Sequence, residues 1–410
     1  MWKAVLDRML VQLIKQGQLK VTFPDGETKT YGSGSGPGAD VRLTDNKAVR
    51  ALCLKPELSF GESYMDGTLQ IADDDMEGLL RVILRNARSR DIPVWARAYS
   101  ALRYAAQSVI RANTKRHSRQ NVAHHYDISD DLYRLFLDKD MQYSCAYFTD
   151  PAMSLEDAQI AKKAHIASKL QIEPGMKVLD IGCGWGGMGL TLARDYGARV
   201  TGVTLSENQL ATAKRRAAEA GLEGQTNFRL QDYRDLNEKF DRIVSVGMLE
   251  HVGVPFYGEY FNKVSELLDD SGVALIHTIG SLAPPSAQAE WITKYIFPGG
   301  YIPSLSQLAP AIEKSGLWSL DLEVLRLHYA MTLRHWLQRF DAQIDIVRQT
   351  YDDRFIRMWR FYLIACYMTF EEEDQAVFQF QLGHQHTAVP LTRDYLYPTA
   401  EKVCTPQAAE

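Results

Sequence analysis

The chain has 410 residues, 46% of them apolar, and a net charge of −5. The length suits two domains, the apolar share excludes a disordered chain, and the charge excludes polyanion binding except through a local basic patch. Cys53, Cys145, Cys183, Cys366 and Cys404 are scattered without a Cys-x-x-Cys pair, which excludes a zinc knuckle and a disulfide framework and points to a reducing compartment.

Trp2, Val5, Leu6, Met9, Leu10, Leu13 and Ile14 recur at helical spacing and predict an amphipathic first helix. This opening carries internal charges and does not read as a signal peptide. No later apolar run approaches the roughly 18–20 residues of a membrane-spanning helix. LKVTFPDGETKTYG reads as a hairpin turning at Pro24-Asp25-Gly26, and a Gly/Ser loop follows it. Residues 1–90 are expected to form a small α+β domain. Between 81 and 120 the composition turns basic. Arg81, Arg85, Arg88, Arg90, Arg97, Arg103, Arg111, Lys115, Arg116 and Arg119 face only Asp91, and Trp95, Tyr99 and Tyr104 lie among them. A helical linker over 91–120 is expected. It is either a solvated connector or a contact for anionic lipid headgroups, with RNA a distant third.

From 121 to 395 strand-like runs alternate with helical ones, and 396–410 is a tail. The strand-like runs are MKVLDIG, ARVTGVTL, TNFRLQD, DRIVSVGM and VALIHTIG. Such alternation predicts an α/β fold with a parallel sheet and helices on both faces, binding ligands at the carboxyl ends of the strands. VLDIGCGWGG (178–187) carries the G-x-G-x-x-G spacing of dinucleotide folds. A nicotinamide site would place an acid at the end of the second strand, where this chain has Thr204 and Ser206. Its acid, Asp180, instead precedes the glycines. A carboxylate there suits a ligand with a nearby ammonium group, and S-adenosylmethionine carries one.

The order YSCAYF, VLDIGCGWGG, VTLSENQ, GMLEHVG, IHTIG, YIFPGG, LHYAMTLRHW resembles the cyclopropane-fatty-acyl-phospholipid synthase family, with the mycolic-acid cyclopropane synthases. The resemblance covers 121 to about 370 and is more diffuse before that. It implies a Rossmann-like class I methyltransferase domain with a mostly parallel seven-stranded sheet beside the smaller N-terminal domain. It also implies transfer of a methylene from S-adenosylmethionine to a cis double bond of a phospholipid acyl chain. The intermediate would be a carbocation, deprotonated by bound bicarbonate. The alternative product is a methyl- or methylene-branched chain. A small-molecule methyltransferase and a non-catalytic lipid binder are the remaining rivals, and the second has no use for Glu250, His277 and Tyr329.

Carried over residue by residue, the bicarbonate pattern falls on Cys145, Glu250, His277, Ile279 and Tyr329. Cys145 and the backbone at Ile279 would supply donors. Glu250 would either fix His277 as a charged donor or accept the bicarbonate OH. Cys366, in the apolar FYLIACYMTF, is a weaker catalytic candidate, and a core position suits it too. Donor contacts fall on Tyr143, Ser144, Asp180, Gly182, Cys183, Gly184, Thr204, Gln209, Asp232 and Tyr233, with Gln209 at the ribose and the last two at the adenine. Tyr147, Phe148, Phe256, Tyr257, Trp291, Tyr295, Phe297, Tyr301 and Trp336 suit either an acyl tunnel or ordinary core. His251 is expected to face away from Glu250. His124 and His125 lack further ligands for a metal. Family likeness also implies a cytoplasmic homodimer on the inner face of the membrane.

Overall fold

A computed structural model describes residues 1–87, 102–104 and 129–397. The N-terminal part opens with helix α1 (Trp2–Leu13), then strands β1 (Gln18–Thr22), β2 (Thr28–Tyr31) and β3 (Gly38–Leu43). Helices α2 (Asn46–Leu54) and α3 (Pro56–Met65), strand β4 (Leu69–Ile71) and helix α4 (Met76–Ala87) complete it. The strands form one sheet in the order β2-β1-β3-β4. The hairpin turns at Gly26, whose N–H donates to Phe23 O at 2.9 Å and whose φ is +85°. Asn86, buried near the end of α4, accepts from the N–H groups of Lys15 and Gln16 and so closes the loop after α1.

The second part is doubly wound. Helices α5 (Asp130–Phe136) and α6 (Leu155–Leu170) precede β5 (Lys177–Ile181), α7 (Gly187–Tyr196) and β6 (Arg199–Thr204). Then come α8 (Glu207–Glu219), β7 (Thr226–Leu230), β8 (Phe240–Val246), α9 (Tyr257–Leu267) and the long β9 (Leu268–Ser281). Helices α10 (Glu290–Tyr295) and α11 (Leu305–Lys314), strand β10 (Trp318–Leu325), helices α12 (His328–Ala342), α13 (Ile344–Val347) and α14 (Asp353–Glu372), and strand β11 (Gln375–Gly383) end the fold. The seven strands run β10-β11-β9-β8-β5-β6-β7, and β11 alone is antiparallel to its neighbours. Every apolar run read as a strand lies in this sheet.

Alternation along the strands divides the core into two layers. Leu179 and Ile181 of β5, Ile243 of β8 and Ile276 of β9 pack with Tyr260, Phe261 and Val264 of α9. Their neighbours Val178, Val244 and Leu275 pack on the other face with Ile166, Met188 and Ala213, from α6, α7 and α8. A third buried cluster runs without a break from Leu6, Val49 and Met65 of the N-terminal part to Phe136, Trp336 and Trp359 of α5, α12 and α14.

Helix α14 is the seat of the N-terminal part. Glu372 accepts from Arg81 and Arg85, Tyr367 OH donates to Glu77, and Arg354 and Arg360 reach Asp66 and Asp74. The basic run therefore needs correction at its start. Arg81 and Arg85 are committed to Glu372, and Arg103 is buried against Glu57 and Glu290, so none of the three is free for lipid headgroups. Tyr104 OH accepts from Gln307. Arg88, Arg90, Trp95, Arg97, Tyr99, Arg111, Lys115, Arg116, Arg119, His124 and His125 lie outside the described residues. Among those described, no helix is long and apolar enough to cross a membrane.

At the seam, a Cβ on Gly61 of α3 would lie 2.5 Å from the buried Trp291 ring and 2.7 Å from Phe361. Overpacking of this kind costs roughly 1–3 kcal/mol. Gly61→Ala is therefore expected to lower the urea midpoint despite alanine's better helix propensity. An unchanged midpoint would show that the seam is loosely packed.

Candidate active site

The site begins where β5 stops. Gly182, Gly184 and Gly186 have φ of +80°, +53° and +84°, a region that glycine enters without strain. The N–H groups of Gly182 and Cys183 both donate to Val203 O on β6, each at 3.0 Å. The chain is thereby folded back to start α7 at Gly187. Above this turn, at the carboxyl ends of β5, β6 and β8, lies a cavity of about 180 Å³. All ten residues carried over as donor contacts line it: Tyr143, Ser144, Asp180, Gly182, Cys183, Gly184, Thr204, Gln209, Asp232 and Tyr233.

Asp180 is buried and its Oδ2 has no hydrogen-bond partner. Burial pushes its carboxyl up to about 7, against the pull of Lys162. A buried carboxyl oxygen without a donor is costly unless a ligand supplies one. The glycine turn, this free oxygen and the apolar Met188, Met248, Val252 and Phe256 fit a nucleoside with an ammonium-bearing arm. Thr204 donates to Gln209 Oε1 at 3.0 Å, which fixes the amide at the end of β6. Asp232 is held by Arg234 at 2.9 and 2.7 Å, so it stands here as half of an ion pair rather than as a free acid.

His251 stands apart from Glu250, as expected, since Glu250 turns to β9 outside the cavity lining. His251 lines the cavity, and burial pushes its imidazole down to about 4, so it stands there neutral. Residues 249–251 form a short 3-10 turn rather than a strand end. Gln142, Trp185 and Arg234 also line the cavity without having been singled out.

The six residues carried over as catalytic lie outside this lining. Glu250 belongs to the 246–252 segment that borders the cavity, but its side chain turns to β9. Its Oε1 accepts from Ile279 N–H at 2.6 Å, and its Oε2 is buried without a partner. Ile279 N–H is thus already committed, and the expectation that it donates to an anion needs correction. His277, two residues earlier on β9, meets Gln379 Nε2 at Nδ1, 3.1 Å away, and its buried Nε2 has no partner. Burial first, then the nearby cation of Lys162, holds the ring well below the usual imidazole range. His277 is therefore neutral, which removes the reading in which Glu250 fixes it as a charged donor. With the Gln379 amide donating to Nδ1, the ring hydrogen sits on Nε2, aimed at no partner.

Cys145 is fully buried, donates to Ala146 O at 3.3 Å, and has its thiol pushed far up by burial. Tyr329 packs between Trp336 and Phe370. Cys366 faces the core from α14, and burial lifts its thiol to about 12, which suits packing rather than thiolate chemistry. Of the nine aromatic residues weighed as a tunnel, only Phe256 lines the cavity. Trp291 and Trp336 are core, and Tyr147 is stacked between His165 and His328. Among the described residues no group of His, Cys, Asp and Glu could hold a metal ion.

Residues 113–380 match the family described as Mycolic acid cyclopropane synthetase, and residues 5–90 match a domain of unknown function. The chain is 40% identical to the Cyclopropane-fatty-acyl-phospholipid synthase of Escherichia coli (strain K12), over 85% of this chain and 88% of that one. It is 34% identical to the Tuberculostearic acid methyltransferase UfaA1 of Mycobacterium tuberculosis, over 92% and 91%. Among solved structures it resembles mycolic acid cyclopropane synthase CmaA1 complexed with SAH and CTAB. There the TM-score is 0.61 and the identity 34%, over 64% of this chain and 97% of that one.

Burial lifts the Glu250 carboxyl from 4.5 to about 7 on folding. Stability from a group raised in this way is full below the unfolded value and is lost as pH rises through the folded one. Glu250→Gln keeps an acceptor for Ile279 N–H and removes the titration. Relative to the native chain it is expected to gain stability between about pH 5 and pH 8, by at most roughly 1.4 kcal/mol per pH unit crossed between the unfolded and folded values. Urea unfolding at pH 5 and pH 8 measures this, and an equal gap at both would show that Glu250 keeps its ordinary pKa.

Proposed function

The chain belongs to the mycolic acid cyclopropane synthetase family, and from that premise we propose that it places a methylene across the cis double bond of unsaturated phospholipid acyl chains. It is an S-adenosylmethionine-dependent methyltransferase of the cyclopropane-fatty-acyl-phospholipid synthase type. The observation that carries the finer reading is the pair of buried, partnerless polar atoms, Glu250 Oε2 and His277 Nε2, beside a cavity suited to the methyl donor.

When bound, S-adenosylmethionine supplies a sulfonium methyl and bicarbonate a base for the proton that must leave before a ring closes. The residues do the rest. Asp180 Oδ2 takes the ammonium of the donor, and the glycine turn lets backbone approach it where a Cβ would intervene. Gln209, fixed by Thr204, serves the ribose, while Tyr233 and the Asp232–Arg234 pair border the adenine. His277 holds a hydrogen on Nε2 and donates it to the anion. Glu250 has a pKa near neutrality, so its Oε2 can give or accept the proton that the bicarbonate OH shares. Cys145 and Tyr329 close the same site. Burial of these groups excludes water from a cation that water would quench.

A branched product is the second reading, favoured by the 34% identity to a tuberculostearic acid methyltransferase over most of both chains. A ring would form where the new methyl loses a proton and its carbon closes on the cationic carbon; a methylene branch would need a 1,2-hydride shift before the proton leaves, and a saturated methyl branch would need a separate hydride donor. Reaching a phospholipid chain also requires a membrane surface, and we include peripheral association with the inner face and a homodimer in the proposal.

Purified protein, labelled S-adenosylmethionine and monounsaturated phospholipid vesicles are expected to yield cyclopropane protons by NMR. A product without them, carrying a branch methyl or exocyclic methylene, would establish the second reading. Glu250→Gln and His277→Ala are expected to bind S-adenosylmethionine normally and to lose turnover by about 100-fold or more, the scale of general-base effects. Bicarbonate depletion should slow the native enzyme, and near-normal turnover in either variant would remove the bicarbonate assignment. Neutralising Arg111, Lys115, Arg116 and Arg119 is expected to weaken flotation with anionic vesicles and flatten its salt dependence. Unchanged flotation would leave that segment a connector.

A further inference from the structure

Helix α6 carries three buried lysines. Lys163 pairs with Asp140 at 2.5 Å and Lys169 with Glu323. Lys162 is different. Its side chain is fully buried, and among the described residues no carboxylate lies within 4.0 Å of Nζ. Nζ donates instead to Gln142 Oε1 at 2.6 Å and to Ser144 Oγ at 2.9 Å. An ammonium without an ion partner costs several kcal/mol to bury. Two neutral hydrogen bonds could be made by a neutral side chain, so fastening a loop does not by itself account for the charge.

Both acceptors line the cavity at the carboxyl end of β5. The segment that carries them is lashed down from every side. Asp138 accepts from Gln142 N–H at 2.8 Å, Gln142 Nε2 donates to Asp140 at 3.0 Å, and Gln159 of α6 donates to Ser144 O at 2.9 Å. Asp140 is in turn held by Lys163 and Arg216. The ionisable groups facing Lys162 are Asp138 and Asp140, Lys163, Cys145, Asp180 at the end of β5, and His277 on β9. Of the three carboxylates among them, Asp138 and Asp140 already accept hydrogen bonds from this segment. Asp180 alone lines the cavity with a free oxygen. Lys162 is the cation that favours the ionised form of Asp180 against its burial.

We propose that Lys162 is a positioning residue for the methyl donor: it holds the Gln142–Ser144 wall by hydrogen bonds and, by its charge, favours the carboxylate form of Asp180 that meets the donor's ammonium. The inference rests on reading this cavity as the donor site. It assigns Lys162 no contact with the transferred methyl.

Calorimetric binding of S-adenosylmethionine to the full-length chain tests it without turnover. Lys162→Met is expected to weaken binding about tenfold at pH 8. The ratio to the native Kd at the same pH should widen several-fold further at pH 6, because Asp180 without its cation protonates at higher pH. Taking ratios at one pH cancels titration of the ligand. Lys162→Gln, which retains hydrogen bonding without charge, is expected to follow the same pH course and serves if the methionine variant does not fold. In Asp180→Asn the further change Lys162→Gln, which spares the hydrogen bonding, should add less than about twofold, because the charge has lost its target. A loss equal at both pH values, or one that adds fully to Asp180→Asn, would overturn the proposal and leave Lys162 a structural tether. Unchanged affinity would overturn it outright. Normal binding by Asp180→Asn itself would instead refute the donor-site reading.

Discussion

One carbonyl oxygen organises the site. Val203 O on β6 receives the N–H groups of both Gly182 and Cys183, and this double acceptance pins the turn after β5 to the neighbouring strand. The turn can be so tight only because left-handed backbone is cheap for glycine. Close approach makes a second demand. A Cβ at Gly182 would stand 3.0 Å from Met248, and one at Gly202 would stand 2.6 Å from Phe228 and 3.0 Å from Cys183. With these positions bare, the ends of β5, β6 and β8 converge. Asp180 is left at the rim with one oxygen free, and the cavity is the space that remains.

Around that rim the interior departs from the usual rule that buried polar atoms find partners. Asp180 Oδ2, Glu250 Oε2 and His277 Nε2 are all buried and unmatched. Each is held in place by something else: Asp180 by the strand end, Glu250 by Ile279 N–H, and His277 by Gln379 across β11. The apolar layers on both faces of the sheet offset this local cost, as expected where a fold keeps groups ready for a ligand.

Strand ends were legible in the sequence because turn chemistry is local. VLDIGCGWGG announced its strand, its turn and its helix, and the residues assigned around it converge on one cavity. Other features were hidden. Nothing in LEDAQIAKKAHIASKL signals that Lys162, Lys163 and Lys169 are buried and reach inward to partners remote in sequence. QAVFQFQLG is not among the strand-like runs, because its glutamines interrupt the apolar pattern. Both sides of β11 are nevertheless covered, and Gln379 and Gln381 are spent on His277 and on Lys169 O. Glu250, His277 and Tyr329 were named from family likeness alone, since no spacing joins residues on three separate elements.

Helix α14 links two regions. Twenty residues long, it spans about 30 Å and behaves as a stiff rod at that length. Along its flank Arg354, Arg360, Tyr367 and Glu372 grip the N-terminal part. Between those anchors Tyr362 extends its hydroxyl to the hydroxyl of Tyr143, 2.7 Å away, in the cavity wall. One continuous helix thus carries both the side chains that fasten the N-terminal part and the phenol that meets the cavity wall, so no hinge separates the appendage from the cavity along this element.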